Sequence, residues 1–310
     1  MRVTATAPCR LSLFGGGTDL PVYFNKYGGI VISMAINIRQ HITISDESNV
    51  YSYIEGANPK FYDAFFKEMD FRPSSMLTSF DTHIESGLGS SASAAVALVG
   101  AIDKFLGLGM NRREIVEKAW DVEVNHLGLY GGKQDQYAAA WGGLNVMWFS
   151  STVGTFRKDI NGHKRDYLLE HILLFDTGES RKEEKIQEEL KSLNNDQLMA
   201  LHLIKKYANL ARKAIECGDV MSIGSLLNEA WEFKKKSNPK MSNEKIDRIY
   251  EEAMIAGATG GKLMGSGGGG FMFFFVEPRF QSLVIKALED LGCKHIDFSV
   301  DDNGLDVRRL

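Results

Sequence analysis

The sequence has few cysteines, no excess of positive charge, no long apolar run and no internal repeat. Each absence removes a class of protein. The 3 cysteines, Cys9, Cys217 and Cys293, lie far apart, are odd in number and never stand as C-x-x-C. That pattern excludes a disulfide framework and a cysteine-built zinc site, and a reducing cytoplasmic location is expected. The formal net charge is -4 and the pI about 6.0, whereas a nucleic-acid binder carries a basic excess or stripe. The run Lys234-Lys235-Lys236 sits beside acidic residues in a helical pattern and reads as a solvated helix face. The most apolar stretches, Ala92 to Ile102 and Phe271 to Val276, fall short of the roughly 20 residues of a membrane span. Residues Met1 to Pro8 lack the apolar core of a signal peptide.

What is present is ordinary globular material, 44% hydrophobic and 25% charged over 310 residues, enough for one large domain or two of common size. The first fifty residues read as strands and turns. Val3 to Ala7 and Arg10 to Phe14 alternate, Gly15-Gly16-Gly17 breaks the pattern, and Ile30 to Ile36 is followed by His41 to Ile44 as a partner strand. A short helix is expected between Pro59 and Met76, then a polar strand reaching Ser86. Helices are expected over Ser91 to Phe105, from an Asn111 cap with Glu114 in capping-box position to about His126, and over Gln134 to Trp141. Beyond a strand at Leu144 to Trp148 and another at His171 to Asp176, helical patterns dominate: Glu179 to Leu190, Asp196 to Glu216, Asp219 to Lys236, Asn243 to Ala256 and Pro278 to Leu291. The fold class is α+β, with a boundary near 165 dividing residues 1–165 from 166–310.

Three segments carry chemistry. Gly87-Leu88-Gly89-Ser90-Ser91-Ala92 opens an apolar helix. Free N–H groups and the dipole at a helix start favour phosphate, glycines let the backbone approach it, and serine hydroxyls can hold phosphate oxygens or Mg²⁺. A plain capped helix start is the bland alternative. No Gly-Lys-Ser/Thr follows, so this is not a Walker A loop. It does imitate the dinucleotide fingerprint G-x-G-x-x-A, but the acids that follow, Asp103 and Asp121, lie in expected helices rather than at a strand end. A nicotinamide-dependent oxidoreductase is therefore a demoted rival.

The second segment runs from Glu123 to Gln136 and places one carboxylate on a helix and another, Asp135, at a glycine-broken helix start. Phosphoryl transfer needs a cation held by oxygens and a group that orients the attacking hydroxyl; Glu123 suits the first and Asp135 the second. Taken alone, the segment reads more simply, with Glu123 a solvated helix residue and Asp135 a cap. His126, lacking partners in sequence, reads as structural. The third segment, Gly261 to Phe271, contains four consecutive glycines, Gly267 to Gly270, which a fold tolerates where backbone must pass close to a ligand or another loop.

Together, in this order and spacing, the three segments resemble the kinase superfamily of galactokinase, homoserine kinase, mevalonate kinase and phosphomevalonate kinase (GHMP). The stretch Ala7 to Pro21, with Arg10 and with Gly15-Gly16-Gly17-Thr18-Asp19-Leu20-Pro21, strengthens the match and looks most like the heptose 7-phosphate kinase branch. The resemblance implies two domains, the first like ribosomal protein S5 domain 2 and the second ferredoxin-like, with ATP and sugar meeting between them. It implies that Gly87, Leu88, Gly89, Ser90, Ser91 and Ala92 cradle the triphosphate, that Ser90 or Ser91 with Glu123 holds Mg²⁺, that Asp135 is the base and that Arg10 orients it. Gly17, Thr18 and Asp19 would bind sugar hydroxyls, and Gly267, Gly268 and Gly269 would close over the substrates. A phosphorylated acceptor calls for cations, and Lys133, Arg181 and Lys182, with Ser180, are the expected ones.

The implied reaction is ATP-dependent phosphorylation of the anomeric hydroxyl of D-glycero-D-manno-heptose 7-phosphate, ahead of nucleotide activation of the heptose. An unphosphorylated fucose- or galactose-like acceptor, or a non-catalytic sugar sensor, is the alternative. The partners expected are a small-molecule sugar phosphate and, as the assembly left open, a homodimer; neither nucleic acid nor membrane is expected. Two positions depart from the superfamily pattern: His83 replaces a usual proline, and Cys9 replaces a usual glycine, where it is expected to reshape the sugar side.

Overall fold

The computed structural model describes residues 1–47, 51–53, 57–83, 87–152, 154–160, 162–179, 192–238, 240–265 and 267–310. The first half is built on two long antiparallel strands, β1 (Arg2–Phe14) and β2 (Gly29–Ser45), separated by a seven-residue helix α1 (Pro21–Tyr27). The sequence pattern had split each strand in two and made His41 to Ile44 a partner. In the structure it continues β2, and the breaks are register shifts between Pro8 and Cys9 and between Ser12 and Phe14. A bulge absorbs an extra residue without a turn, which is why a local break in alternation imitated a strand end.

The bulge also explains how β1 serves two cores. Val3, Ala5 and Ala7 pack in one cluster, while Cys9, Leu11 and Leu13 pack in another. Past the bulge the alternate positions, Arg10 and Ser12, line the cleft between the halves.

The rest of this sheet assembles around β2. Its start pairs with β5 (Leu144–Ser150) and its end with β4 (Ser75–Phe80); β3 (Tyr51–Ser52) joins β4, and β6 (Gly154–Ile160) joins β5. Helix α2 (Pro59–Glu68) precedes β4. Helix α3 (Ser90–Leu106) is buried from Ala92 to Ile102. A helix apolar all round belongs at the centre of a domain, and α3 packs on β1, β2, α4 (Arg112–Asp121) and α5 (Gln134–Trp141). The expected Asn111–Glu114 capping box starts α4.

Past α6 (His163–Leu169), a second sheet orders β10 (Lys294–Ile296), β7 (Ile172–Asp176), β9 (Phe271–Val276) and β8 (Ala258–Leu263) side by side. Strand β9 is buried on both faces: Phe271, Phe273 and Phe275 join the core shared with β1, while Met272, Phe274 and Val276 meet the helices behind. Each such side chain contributes about 1.5–3 kcal/mol, so β9 anchors the two halves to each other. Helices α7 (Asn195–Cys217), α8 (Ser222–Ser237), α9 (Glu244–Ile255) and α10 (Gln281–Asp290) cover this sheet and the cleft. The chain then returns, and β11 (Asp306–Arg309) pairs with β1 in the first sheet. No described helix is long and apolar enough to cross a membrane.

Candidate active site

A cleft of about 700 Å³ lies between the halves, lined by Arg10, Asp19, the turn at Gly87 to Ala92, Glu123 and Asp135 from one side and by Lys234, Met241 and Lys262 from the other. Arg10 holds its centre together. Nε donates to Asp135 Oδ1 and Nη2 to Asp135 Oδ2, both at 2.7 Å, and Nη1 donates to the Gly87 carbonyl at 2.7 Å. A planar guanidinium fork matches a carboxylate with two parallel bonds. The third bond ties the carboxylate to the turn that opens α3. Two of the sequence-predicted segments, far apart in the chain, thus meet through one side chain from β1.

Gly89 completes this junction. It is the left-handed cap of α3, at φ 78, and a Cβ there would stand 3.1 Å from Asp135 Oδ2 and 3.4 Å from the Arg10 guanidinium carbon. Gly89→Ala is expected to lower kcat by about 10–100-fold through displacement of the pair and to cost about 1–2 kcal/mol of stability through backbone strain. Steady-state rates and a urea midpoint read the two effects separately.

The helix α4 ends in a widened turn of π-helix, Val122–His126, a local irregularity frequent at functional sites. It carries Glu123 into the cleft. Ser91 Oγ donates to Glu123 Oε1 at 2.5 Å and Gln136 Nε2 to Oε2 at 2.8 Å. Burial pushes the Glu123 pKa up to about 7 despite those bonds.

Asp19 is buried under the start of α5, accepting from Gly17 N at 3.0 Å and from Gln134 N at 3.2 Å. Gly132 must be glycine for this contact, because a Cβ would stand 1.8 Å from Asp19 Oδ2. Burial first, and then the charge of Asp135, push the Asp19 carboxyl pKa up.

Several expectations are corrected by these positions. Leu88 lies wholly in the core and offers the site only its backbone, its carbonyl accepting from Arg10 N at 2.9 Å. Thr18 does not line the cleft; its hydroxyl bonds Ile30 on β2 and holds the strand entry. Lys133 is paired with Glu117 and lies over the Trp120 ring at 4.4 Å, so its charge is spent away from the cleft. Gly267, Gly268 and Gly269 do not line the cleft either. Gly267 and Gly268 lie at the loop that precedes α9, with Gly268 N donating to Met241 O at 3.3 Å and Asn243 Nδ2 donating to Gly268 O at 3.2 Å, and Gly269 lies against Glu179; Gly265, just before these glycines, faces the cleft.

Cys9 is buried in the shared core rather than on the sugar side, and burial pushes its thiol pKa up to about 12. His83 stacks on Phe271 at 5.4 Å. His126 is not alone: Glu68 and Asp121 approach its Nε2 at 3.4 and 3.6 Å, with Lys118 on Glu68 at 3.0 Å. Ser180, Arg181 and Lys182, and the helix expected at 179–190, lie outside the described residues.

Sequence reasoning also missed residues. Phe61, Ala57, Val124 and Leu127 bring apolar side chains to the wall of the cleft. Lys234 and Lys262 line it too. The G-x-G-x-x-A imitation is resolved by the sheet, whose long strands are antiparallel instead of the parallel βαβ arrangement that a dinucleotide site requires.

The profile described as the GHMP kinases N terminal domain matches residues 53–143, and that described as GHMP kinases C terminal matches residues 210–292. The D-glycero-alpha-D-manno-heptose 7-phosphate kinase of Campylobacter jejuni is 32% identical over 99% of each chain. The chain belongs to the GHMP kinase family. It is a phosphotransferase acting on a hydroxyl acceptor, and members of the family use ATP as phosphoryl donor. A crystal structure described as a D-glycero-D-manno-heptose 1-phosphate kinase from Bacteroides thetaiotaomicron superposes on this kinase with a TM-score of 0.79, at 29% identity and 99% coverage of both chains. Lactococcus lactis galactokinase, crystallised with galactose, shares the two-domain α+β fold at 19% identity and a TM-score of 0.73, covering 100% of this chain and 95% of its own.

Proposed function

We propose that this kinase transfers the γ-phosphoryl group of ATP to the anomeric hydroxyl of D-glycero-D-manno-heptose 7-phosphate, giving the 1,7-bisphosphate. The observation that carries the reading is the Arg10 fork, which joins the Asp135 carboxylate to the Gly87 carbonyl and so sets a carboxylate beside the glycine-serine turn at the start of α3. The name of the Campylobacter relative supplies the acceptor.

In this reading the adenine occupies the apolar wall at Phe61 and Leu127, and the free N–H groups at the start of α3 receive the phosphates. Asp19 accepts hydroxyls of the sugar. Asp135 takes the proton of the anomeric hydroxyl as its oxygen bonds to the γ-phosphorus and the bond to the ADP oxygen breaks. Arg10 keeps the carboxylate in place and offsets charge on the transferred group. Catalysis of this kind is positioning and electrostatics.

Ser91 Oγ and Glu123 Oε1 form an oxygen-only donor pair at the cleft wall, the chemistry that suits Mg²⁺. Ser91 and Glu123 would hold Mg²⁺ there, and the bound cation would offset negative charge on the phosphates. Because burial raises the Glu123 pKa to about 7, a proton competes with the cation below that pH. Apparent Mg²⁺ affinity is expected to rise about five-fold as pH increases from 6 to 7 and to level off near 8; Glu123→Gln should abolish that slope and weaken the Mg²⁺ response.

The sign for stability is opposite. The folded carboxyl binds its proton more tightly than the unfolded one, so Glu123 lowers stability progressively as pH rises from its ordinary value of 4.5 to about 7. Glu123→Gln should therefore melt higher than the unaltered protein at pH 8, with lower activity. Mg²⁺ titrations from pH 6 to 8 and calorimetry at pH 8 check both. The acceptor is tested by ADP release across heptose 7-phosphate, unphosphorylated heptose, fucose and galactose. Turnover highest on heptose 7-phosphate is expected, and turnover confined to the unphosphorylated sugars would contradict the proposal.

A further inference from the structure

Two lysines of the second half reach across the cleft to the backbone of the first. Lys234, on α8, donates Nζ to the Gly16 carbonyl at 3.1 Å, and Lys262, on β8, donates Nζ to the Ser12 carbonyl at 2.9 Å. Both line the cleft. The run Lys234 to Lys236 had read as one solvated face, but its members part ways: Lys235 pairs with Glu232 at 2.9 Å, while Lys234 turns inward.

An ammonium carries three donors. Among the described residues, each of these lysines uses one on a protein carbonyl and neither forms an ion pair. Burial, with the charges of Lys234 and Arg10, pushes the Lys262 pKa down to about 7, against the opposing pull of Asp19. Burial likewise pushes the Lys234 pKa down. Neighbouring cations withdrawn from water without a counterion cost free energy, and an anionic ligand relieves it. Unused polar atoms lie beside Gly16, where a Cβ would stand 2.9 Å from Ser12 Oγ and 3.4 Å from Gln134 Nε2. Ser12 Oγ and Gln134 Oε1 are buried and have no hydrogen-bond partner among the described residues.

The transferred phosphoryl group already has donors in the turn at the start of α3 and in Arg10. Lys234 lies instead at the turn that leads into Asp19: its Nζ donates to the Gly16 carbonyl at 3.1 Å and would stand 3.5 Å from a Cβ at Gly17. Lys133, the cation first expected to serve the acceptor's phosphate, is spent on Glu117.

We propose that Lys234 and Lys262, with the Ser12 hydroxyl, form the seat for the phosphate monoester of the acceptor, and thereby set the preference for a phosphorylated over an unphosphorylated sugar. This inference rests on the function proposed above. The seat binds a dianion through charge and donors, and the sugar ring then spans from it across Asp19 to Asp135.

The test is the ratio of kcat/KM on heptose 7-phosphate to kcat/KM on unphosphorylated heptose. It is measured for the unaltered kinase, for Lys234→Met and Lys262→Met, and for the charge-conserving Lys234→Arg and Lys262→Arg. The unaltered kinase is expected to prefer the phosphorylated acceptor. Each methionine variant should reduce the ratio by roughly 10–100-fold, the worth of a hydrogen bond to a charged group, and each arginine variant should retain most of it.

Losses of equal size on both acceptors, leaving the ratio unmoved, overturn the inference. So does an unaltered kinase that turns over heptose 7-phosphate and heptose equally well, a result that needs no variant to fold. An unaltered kinase inactive on heptose 7-phosphate but active on another sugar overturns the proposed function, and this inference with it.

Discussion

Asp135→Asn is expected to lower kcat by about 10²–10⁴-fold, the usual worth of a positioned general base, with KM for ATP changed little. The amide keeps the shape of the carboxylate and can still accept one bond from Arg10. It cannot take a proton from the acceptor hydroxyl. The large term is therefore lost from the chemical step while the turn at Gly87 to Ala92 and the apolar residues Phe61 and Leu127 are untouched. Single-turnover rates with saturating ATP and acceptor measure it without interference from product release. Turnover equal to that of the unaltered kinase would remove the base assignment and leave Asp135 as an anchor for Arg10.

The second large effect belongs to Arg10. Its guanidinium makes three bonds of 2.7 Å, two to Asp135 and one to the Gly87 carbonyl, and it is itself buried. Arg10→Ala leaves a carboxylate without its cation and a carbonyl without its donor. A loss of about 10²–10³-fold in kcat/KM is expected, the scale of removing one preorganised donor from a reacting centre. Arg10→Lys should recover little of it, because a single ammonium cannot reproduce the fork.

Residues that act as one unit are not additive. The double variant Arg10→Ala with Asp135→Asn should thus be barely slower than the worse single variant. Independent losses that multiply would show that the ion pair is not the functional unit.

The parts legible in the sequence were those whose chemistry is local. A glycine-bounded serine turn before an apolar helix, a carboxylate on the helix that follows, and a carboxylate at a glycine-broken helix start can each be read from a few residues. The structure brings these three to one cleft. The α+β class and most helices were legible for the same reason, since apolar periodicity and caps such as Asn111 are short-range signals.

What was not legible depended on distant contacts. The continuity of β1 and β2 is imposed by pairing with each other across a bulge, and no local pattern separates a bulge from a strand end. Lys133 and Lys234 illustrate the same limit for charge. The first follows a glycine pair close to Asp135, yet Glu117 on α4 claims it. The second stands in a basic run, yet the helix turns it toward Gly16 on the opposite half. Which charge is spent and which is left for a ligand is decided by elements far away in the chain. Thr18 failed for a related reason: a hydroxyl beside Asp19 was free to be a sugar contact until Ile30 of β2 took both its donor and acceptor capacity.

The central claim is that one cleft joins ATP to the anomeric hydroxyl of a phosphorylated heptose. The ³¹P NMR spectrum of a reaction containing the kinase, ATP, Mg²⁺ and D-glycero-D-manno-heptose 7-phosphate tests it most directly. The account predicts a new phosphate resonance coupled to the anomeric proton, growing in step with ADP while the 7-phosphate resonance persists. No new resonance under conditions where ATP is consumed with another sugar, or a new phosphate coupled to a ring proton other than the anomeric one, would contradict it.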